Sequence, residues 1–370
     1  MSEKQLSIII PGCNEWPQNI FTMASIAASL DGLVDYEIIY VDNQSQRAED
    51  RQSNASIRGD VDGLIDSCIH PDGIDRLQLA NCFESYVHGH DIQGADGDFT
   101  SMYMNKNSLI ESGNLVYLKY DDTASHWQAK NKALEIAKGR ILMFIDAHNF
   151  VQRPDLARMY DYYIANEEEI NGSLHMPIMG LLDRRGKQNI YKLEYNKPKG
   201  ILHYSFTGIR EREKVHKVPS MIWCSAMISR DILVDRLGGW PKTMGIWGGG
   251  EHFANYALAV TGHDVNIWPF GTMRHFAGKT VKRGYSWNHA DYHRNRMLAV
   301  FIVGGAEWLQ NYADTKQAEG WAEAHEVAAN ILNTPADVEH HALIEKQTII
   351  PIEEWVKQWK ESELVKEIVA

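Results

Sequence analysis

The chain has 370 residues, enough for one large α/β domain with additions or for two domains. Its hydrophobic share of 44% is ordinary for a globular protein, and its formal net charge of −12 argues against a protein that coats nucleic acid or an anionic membrane with its whole surface. The four cysteines are scattered without a C-x-x-C pair, which is typical of a reducing compartment and provides no metal framework.

Two apolar runs are too short for a signal peptide or a membrane span. Leu6 to Ile10 is closed by Pro11, and "MLAVFIVGGA" begins at Met297. A membrane-spanning helix needs about 20 apolar residues. We therefore expect a cytoplasmic chain without a membrane span.

The N-terminal part alternates short apolar runs with amphipathic stretches, which is the pattern of βαβ units. Strands are predicted at residues 6–10, 36–42, 115–119 and 140–146. Helices are predicted at 17–30 and 125–139, the second with Gly139 at its C-cap. Buried strands this short, joined by helices, predict a mostly parallel sheet covered on both faces.

Two long regions interrupt this alternation. Residues 46–113 are too long for a simple connection and carry several Gly, Asp, Ser and Asn, so we interpret them as an inserted subregion with helices. Residues 315–370 predict a helical C-terminal extension. Its apolar stripe most often indicates a packing face, and it is a candidate surface for a homo-oligomer: Trp355, Trp359, Leu364, Val365 and Ile368.

Three predicted strands end in polar or acidic residues. The first is followed by "PGCNE", the second by "VDNQS" and the fourth by "DAH". Ligands bind at the carboxyl ends of parallel strands. Asp and Asn also favour turns for purely conformational reasons, so one such end proves little. Three on one edge favour a ligand site, where an acid accepts a nucleobase N–H or a sugar hydroxyl, or binds a metal.

A second informative segment is "GGWPKTMGIWGGGEHFAN" at 238–255. Three consecutive glycines after Trp247 permit close backbone approach to a ligand. Glu251 and His252 then open a predicted helix. The alternative is a flexible turn in which Glu251 only stabilises the helix dipole.

Four segments, in this order, resemble the nucleotide-sugar glycosyltransferases of the A-type fold: "LSIIIPGCNE", "EIIYVDNQS", "AKNKALEIAKGRILMFIDAH" and "SAMISRDILVDRLGGWPKTMGIWGGGEH". Within that class, "FIDAH" and "GIWGGGEH" are most similar to the polypeptide N-acetylgalactosaminyltransferases, which carry an Asp-x-His metal motif and a Trp-Gly-Gly-Glu-Asn loop. The resemblance spans residues 6–276. It implies an α/β A-type fold with a Rossmann-like, mostly parallel sheet flanked by helices.

The chain departs from that family's pattern around the loop. It has an additional glycine, His252 where the family has Asn, and Ala254 where an acid is expected. We also expect neither the membrane anchor nor the lectin domain of those enzymes. These departures bear on the identity of the acceptor more than on the identity of the donor.

The Asp-x-His motif predicts a metal site. Asp146 and His148 lie two residues apart at a strand end, so both side chains point to the same side. The resemblance implies a third ligand beyond the loop, and "MRHFAG" offers His275. Mn²⁺ accepts this mixture of oxygen and nitrogen, whereas Mg²⁺ prefers oxygen. Such an ion stabilises the charge of a diphosphate leaving group.

The resemblance also implies the donor site. The nucleoside, uridine by resemblance, is expected at the ends of the first two strands, where Asp42 accepts the uracil imide N–H. Lys130 is expected to approach the diphosphate or the sugar. The predicted donor contacts are Pro11, Asn14, Glu15, Asp42, Asn43, Lys130, Asp146, Gly248, Gly249, Arg274 and Lys279.

The predicted reaction centre contains three catalytic residues, Trp247, Glu251 and His252. Trp247 offers an apolar face, and Glu251 either hydrogen-bonds sugar hydroxyls or deprotonates the acceptor. The resemblance favours retention of the anomeric configuration, in which the departing diphosphate takes the proton.

A basic-aromatic segment follows at 274–296, with six basic residues and one acid, Asp291. It predicts a lid whose cations meet the diphosphate, or else a patch for an anionic acceptor on which Tyr285, Trp287 and Tyr292 stack. We divide the chain accordingly into a catalytic domain (1–276), a lid or acceptor segment (277–314) and a helical extension (315–370).

The favoured function is metal-dependent transfer of a hexosyl or N-acetylhexosaminyl group from a UDP-sugar to a glycan, a protein, a small molecule or a hydroxylated DNA base. A sugar-1-phosphate nucleotidyltransferase would carry a Gly-rich basic loop after strand one, but "PGCNEWPQN" has one glycine and neither Lys nor Arg. A non-catalytic carbohydrate-binding protein would not need the Asp-x-His pair.

Overall fold

Strand β1 (Leu6–Gly12) lies near the middle of the larger sheet, and all seven of its residues are buried. It pairs in parallel with β2 (Tyr36–Asp42) and β4 (Ile141–Ile145), and β3 (Leu115–Lys119) extends the sheet beyond β2. Ile, Val and aromatic side chains form these strands because they pack well on a pleated surface buried on both faces. The structure is a computed structural model that describes residues 5–15, 18–30, 32–45, 114–152, 154–180, 188–196, 201–209, 213–275 and 288–361.

The larger sheet has eight strands in the order β10-β12-β6-β11-β4-β1-β2-β3. Its remaining strands are β6 (Gly172–His175), β10 (His216–Val218), β11 (Ser225–Ser229) and β12 (Asp264–Ile267). β11 runs antiparallel between β4 and β6, whereas β6 and β12 are parallel. The predicted mostly parallel α/β sheet is confirmed.

A second sheet, which the sequence patterns did not predict, brings a distant segment to the end of β4. Its strands are, in spatial order, β5 (Asn149–Val151), β13 (Met273–His275), β7 (Ile178–Gly180), β8 (Gln188–Asn196) and β9 (Ile201–Ile209). β13 pairs antiparallel with β5, and His275 is the register partner of Asn149. This pairing carries His275 to the residues that directly follow β4.

Helices cover the sheets. In chain order they are α1 (Gln18–Leu30), α2 (His126–Ile136), α3 (Asp155–Ala165), α4 (Glu167–Ile170), a π-helical turn (Asp231–Arg236), α5 (Gly250–Val260), α6 (His289–Ala318), α7 (Ala324–Leu332), α8 (Pro335–Gln347) and α9 (Ile352–Glu361). α2 packs on β1 and β2, α1 packs on β5 and α3, and α6 packs on α5, α7 and α8. The predicted helical character of the C-terminal region is confirmed within the described residues.

The end of α2 differs from the prediction. Its C-cap is Ala137, and Gly139 is therefore not the capping residue. Gly139 instead lies against β1, where its amide donates to Ser7 Oγ at 2.7 Å and an added Cβ would be 2.4 Å from the Ser7 backbone nitrogen. Close approach of two backbones, rather than helix termination, requires glycine here.

Helix α6 joins two of the predicted segments. It runs from residue 289 to 318 across the predicted boundary at 314, with a non-helical Gly305 (φ 76°). The division into 1–276, 277–314 and 315–370 remains a prediction. Within the described ranges, no helix is long and apolar enough to cross a membrane.

Two predicted features lie partly or wholly outside the described residues. The inserted subregion at 46–113 is one of them, and the distal part of the C-terminal apolar stripe, from Leu364 to Ile368, is the other. Within the stripe, Trp355 is buried and its ring lies 6.4 Å from that of Trp359. The homo-oligomer and the cytoplasmic location also remain predictions.

Candidate active site

Three predicted ligands, Asp146, His148 and His275, meet beyond the end of β4, and we call them the ligand group. Their candidate ligand atoms all lie within 4.8 Å of one another. Nε2 of His275 is 3.1 Å from Nε2 of His148 and 3.5 Å from Oδ2 of Asp146. Two imidazole nitrogens and a carboxylate that converge in this way can hold a divalent cation.

Two neighbouring side chains orient the ligand group. Oε2 of Glu15 lies 3.1 Å from Nδ1 of His148. Because an ionised carboxylate can only accept, this contact assigns the proton to Nδ1 and makes Nε2 the lone-pair nitrogen that faces His275. On the other side, Nε2 of His126 is 3.8 Å from Oδ1 of Asp146.

The carboxyl of Asp146 is half-buried and anionic. Burial alone raises its pKa, yet the hydrogen bond from His275 and the charges of His126, His148 and Lys130 outweigh burial and lower the pKa well below its usual range. Among the described residues, no hydrogen-bond donor reaches Oδ1 of Asp146. A buried anionic oxygen beside two imidazole nitrogens is costly unless a cation balances it, and the set fits a divalent cation.

Lys130 lies inside the protein, with 1% of its surface exposed. Three aromatic rings surround its ammonium: Trp127 at 4.9 Å, Trp240 at 5.4 Å and Phe144 at 5.6 Å. Nζ donates to the carbonyl of Trp223 at 3.3 Å. Burial lowers the Lys130 pKa, while the charges of Asp146 and Glu251 act in the opposite direction. Lys130 is therefore enclosed among aromatic rings, and its contact with a diphosphate or a sugar remains a prediction.

The ends of β1 and β2 lie side by side, with Gly12 in register with Asp42. Asp42 is 4% exposed, and its Oδ2 accepts from the Tyr117 hydroxyl at 2.7 Å while its Oδ1 accepts from the amide of Ser45 at 3.2 Å. Each carboxylate oxygen can accept a further donor. Asn14 adopts a left-handed backbone conformation (φ 57°), and its amide donates to Ser45 Oγ.

Two other predicted donor residues serve the fold. Pro11 is buried within β1. Asn43 is fully buried: its Oδ1 accepts from the amide of Ser125, and its Nδ2 donates to the carbonyls of Tyr120 and Thr123. The Asn43 side chain thus fixes the segment that leads into α2.

Residues 245–250, here called the glycine loop, connect to α5. Gly248 and Gly249 have φ angles of 82° and 75°, in the left-handed region that favours glycine. A Cβ on Gly248 would lie 2.4 Å from the ring of Tyr292, and one on Gly249 would lie 2.3 Å from the carbonyl oxygen of Asn295. The glycines therefore permit α6 to pack directly against the loop.

The start of α2 ties the glycine loop to the ligand group. The amide of His126 donates to the Ile246 carbonyl at 3.1 Å, and Nε1 of Trp127 donates to the Gly248 carbonyl at 2.9 Å. His126 is the same residue whose imidazole faces Asp146. The loop and the ligand group consequently belong to one site.

Two predicted catalytic residues, Trp247 and Glu251, are half-buried at this site. The Trp247 ring lies 5.7 Å from that of Tyr292. Oε1 of Glu251 accepts from the amide of Trp223 at 3.3 Å, next to the carbonyl that Lys130 contacts. Lys130 thus binds the backbone carbonyl of Trp223, and Glu251 binds the backbone amide of the same residue.

His252, the third predicted catalytic residue, is buried against Arg296. Nε and an Nη of Arg296 lie 3.2 and 3.0 Å from Nε2 of His252. A guanidinium only donates, so Nε2 is the accepting nitrogen and the imidazole is neutral. His252 is thereby fixed in one tautomer at the start of α5.

Arg274 and Lys279 complete the predicted donor contacts. Arg274 is half-buried in β13, next to His275. Lys279, together with the rest of 276–287, lies outside the described residues, so the lid and the acceptor patch remain predictions. Of the other cations in the basic-aromatic segment, Arg294 donates to the carbonyl of Thr243.

Three residues at the site were not predicted to act there, namely His126, Asp291 and Asn295, whereas Arg296 was predicted only as one of the lid cations. His126 follows the N-cap of α2, Ser125, which is a signal for a helix start but not for a metal neighbour. Asp291, Asn295 and Arg296 lie on α6, more than 40 residues beyond the glycine loop, and their contacts with the site are tertiary.

Part of the chain matches a family model in sequence, and solved structures share its fold. Residues 118–237, which include Asp146 and His148, match the model of the family described as Glycosyl transferase family 2. A crystal structure of GalNAc-T7 with UDP, GalNAc and Mn²⁺ is similar with a TM-score of 0.65 at 12% identity; the match covers 99% of this chain and 58% of that one. TarS residues 1–349 from S. aureus, in complex with UDP-GlcNAc, give a TM-score of 0.49 at 12% identity, with 99% and 84% covered. No curated protein is significantly similar in sequence.

The likeness to GalNAc-T7 shows the A-type fold, and residues 118–237 carry the match to a glycosyltransferase family model. The predicted fold and the predicted resemblance to the polypeptide N-acetylgalactosaminyltransferases are both confirmed. The chain spans somewhat more than half the length of the GalNAc-T7 chain, with 58% of that chain covered.

Proposed function

We propose that the chain is a metal-dependent glycosyltransferase that moves a sugar from a nucleotide-diphosphate donor to a hydroxyl acceptor. The observation that carries the proposal is the convergence of the ligand group at the carboxyl end of β4 in an A-type fold. GalNAc-T7 binds UDP, GalNAc and Mn²⁺, which supports a UDP-N-acetylhexosamine as donor here. Two imidazoles in the ligand group favour Mn²⁺ over Mg²⁺.

The ligand group would hold the cation, which supplies Lewis-acid stabilisation to the departing diphosphate. Glu15 keeps His148 in the tautomer whose Nε2 faces the group, and His126 faces Oδ1 of Asp146. At the ends of β1 and β2, Asp42 accepts the imide N–H of the base. The chain's own residues thus orient the donor between β2 and β4.

The glycine loop closes the site around the transferred sugar. Gly248 and Gly249 let α6 pack directly against the loop, and Trp247 offers an apolar face. During transfer the bond from the anomeric carbon to the diphosphate oxygen breaks, and a bond to the acceptor oxygen forms. With retention, the acceptor proton passes to the departing diphosphate, and Glu251 hydrogen-bonds sugar hydroxyls.

The direct test is a screen of donors and acceptors in Mn²⁺ that reads nucleoside diphosphate release. Acceptors from each class, namely glycan, protein, small molecule and hydroxylated DNA base, are compared with a reaction that contains none. We expect release from a UDP-sugar that rises with one acceptor class. Pyrophosphate release from a nucleoside triphosphate and a sugar 1-phosphate would instead identify a nucleotidyltransferase, and sugar binding without turnover would identify a binding protein.

Asp42→Ala is expected to weaken UDP binding. A buried donor or acceptor without its partner costs about 1–3 kcal/mol, or about one to two decades in affinity. The measurement is calorimetric titration with UDP in Mn²⁺. Tyr117→Phe is the matched control, because it removes the hydroxyl that Asp42 accepts from but keeps the carboxylate. An unchanged Kd in Asp42→Ala would contradict the assignment.

Glu251→Gln is expected to keep measurable transfer, with a product whose anomeric configuration equals that of the donor. Retention requires no enzyme base, and the amide still accepts from the Trp223 amide. The product is read by NMR and the rate by UDP release. An inverted product together with a loss of about 10²–10⁴-fold would instead make Glu251 the general base.

A further inference from the structure

Two side chains of α6 hold the backbone of the glycine loop. Asp291 accepts from the amide of Ile246 at 2.8 Å through Oδ2. Asn295, one helical turn later, accepts from the amide of Gly245 at 2.8 Å and donates to the carbonyl of Trp247 at 3.0 Å. Three consecutive loop residues are therefore bound by two residues of one helix face.

The helix that carries these side chains is itself fixed at its start. Oδ1 of Asn288 accepts from the amide of Asp291, which caps α6. Arg294 donates to the carbonyl of Thr243, just before the loop. The position of α6 is thus coupled to the position of the loop.

From the opposite side, the start of α2 holds the same loop. Ser125 Oγ donates to the carbonyl of Gly245 at 2.8 Å, and the amide of His126 donates to that of Ile246 at 3.1 Å. His126 also faces Asp146. The loop is therefore hydrogen-bonded both to the start of α2 and to α6.

Burial makes the α6 contacts costly to lose. Asn295 is fully buried, so truncating it leaves the amide of Gly245 and the carbonyl of Trp247 without this partner. Asp291 is half-buried at the edge of the site, so its substitution disturbs the core less.

We propose that Asp291 and Asn295 are positioning residues for glycosyl transfer. They set the distance between the glycine loop and the transferred sugar, and so they act on the transfer step rather than on metal or nucleotide binding. The inference rests on the proposed function of the same site.

The test compares kcat, the Kd for UDP and the Kd for Mn²⁺ in four variants. Asp291→Ala and Asn295→Ala are expected to lower kcat by about 10–100-fold, because small misplacement of a positioning group has effects of this size. Both Kd values are expected to stay within about 3-fold of wild type, since the ligand group and β2 are untouched. Asp291→Asn keeps an oxygen that accepts from Ile246 and should restore kcat to within about 3-fold.

Asp314→Ala, at an exposed position of the same helix that pairs with His325, should behave as wild type. Thermal unfolding checks that each variant is folded, and if Asn295→Ala is not, the pair Asp291→Ala and Asp291→Asn decides. Wild-type kcat in Asp291→Ala, or equal losses of kcat and of UDP affinity, would overturn the inference. A wild-type protein without any turnover would instead overturn the proposed function.

Discussion

Asp146→Asn is expected to abolish glycosyl transfer and to leave the fold intact. The amide has the shape of the carboxylate but neither its charge nor its full capacity to bind a cation, and Oδ1 of Asp146 lies buried without a hydrogen-bond donor among the described residues. Lewis-acid stabilisation contributes several kcal/mol, so the rate should fall by about 10²–10⁴-fold. UDP release in Mn²⁺ measures the effect, and circular dichroism checks the fold.

Asp161→Asn, at an exposed position of α3, is the control for this variant and should retain full activity. EDTA should reproduce the loss in the wild-type protein, and excess Mn²⁺ should reverse it. His148→Ala and His275→Ala should each weaken Mn²⁺ binding measured by titration. Near wild-type turnover in EDTA would show that the ligand group holds no metal needed for the reaction.

Gly249→Ala is expected to disable the reaction centre. Both this position and Gly32 have positive φ angles, 75° and 74°, at which alanine is strained. Only at Gly249 would the added Cβ also meet the carbonyl oxygen of Asn295, at 2.3 Å. Overpacking adds about 1–3 kcal/mol, and displacement of the loop should slow transfer by about 10²-fold.

Gly32→Ala serves as the matched control, because nothing lies within 4 Å of its added Cβ. It should lose stability in thermal unfolding through the strained backbone and should keep wild-type transfer. Equal transfer rates in Gly249→Ala and Gly32→Ala, with a loss of stability in both, would mean that the loop is a turn rather than part of the reaction centre.

Short-range sequence patterns were enough to predict strands β1 to β4 and two members of the ligand group, Asp146 and His148. Buried apolar runs closed by polar residues mark the strands and their carboxyl ends. Asp146 and His148 lie in the turn that follows β4, so the Asp-x-His motif marks them although the alternation of a strand does not apply there. His275 followed only from the resemblance, since the pairing of β13 with β5 that brings it to the site leaves no local signal.

Tertiary contacts explain what the sequence did not show. The surroundings of Asn43 and Lys130 are of this kind: the first hydrogen-bonds the segment before α2, the second is enclosed among three rings, and their contacts with the donor remain predictions. Asp291 and Asn295 lie within a stretch whose charge pattern suggested a lid. Their hydrogen bonds to the glycine loop depend on how α6 packs, which no pattern within that stretch encodes.

The most direct test of the central claim is the release of UDP from a UDP-sugar by the purified chain, measured with Mn²⁺ and with EDTA. Transfer at the ligand group predicts release that requires Mn²⁺, that increases with the correct acceptor and that disappears in Asp146→Asn. Release that is equal in Mn²⁺ and EDTA, or that persists in Asp146→Asn, would contradict metal-dependent glycosyl transfer at this site.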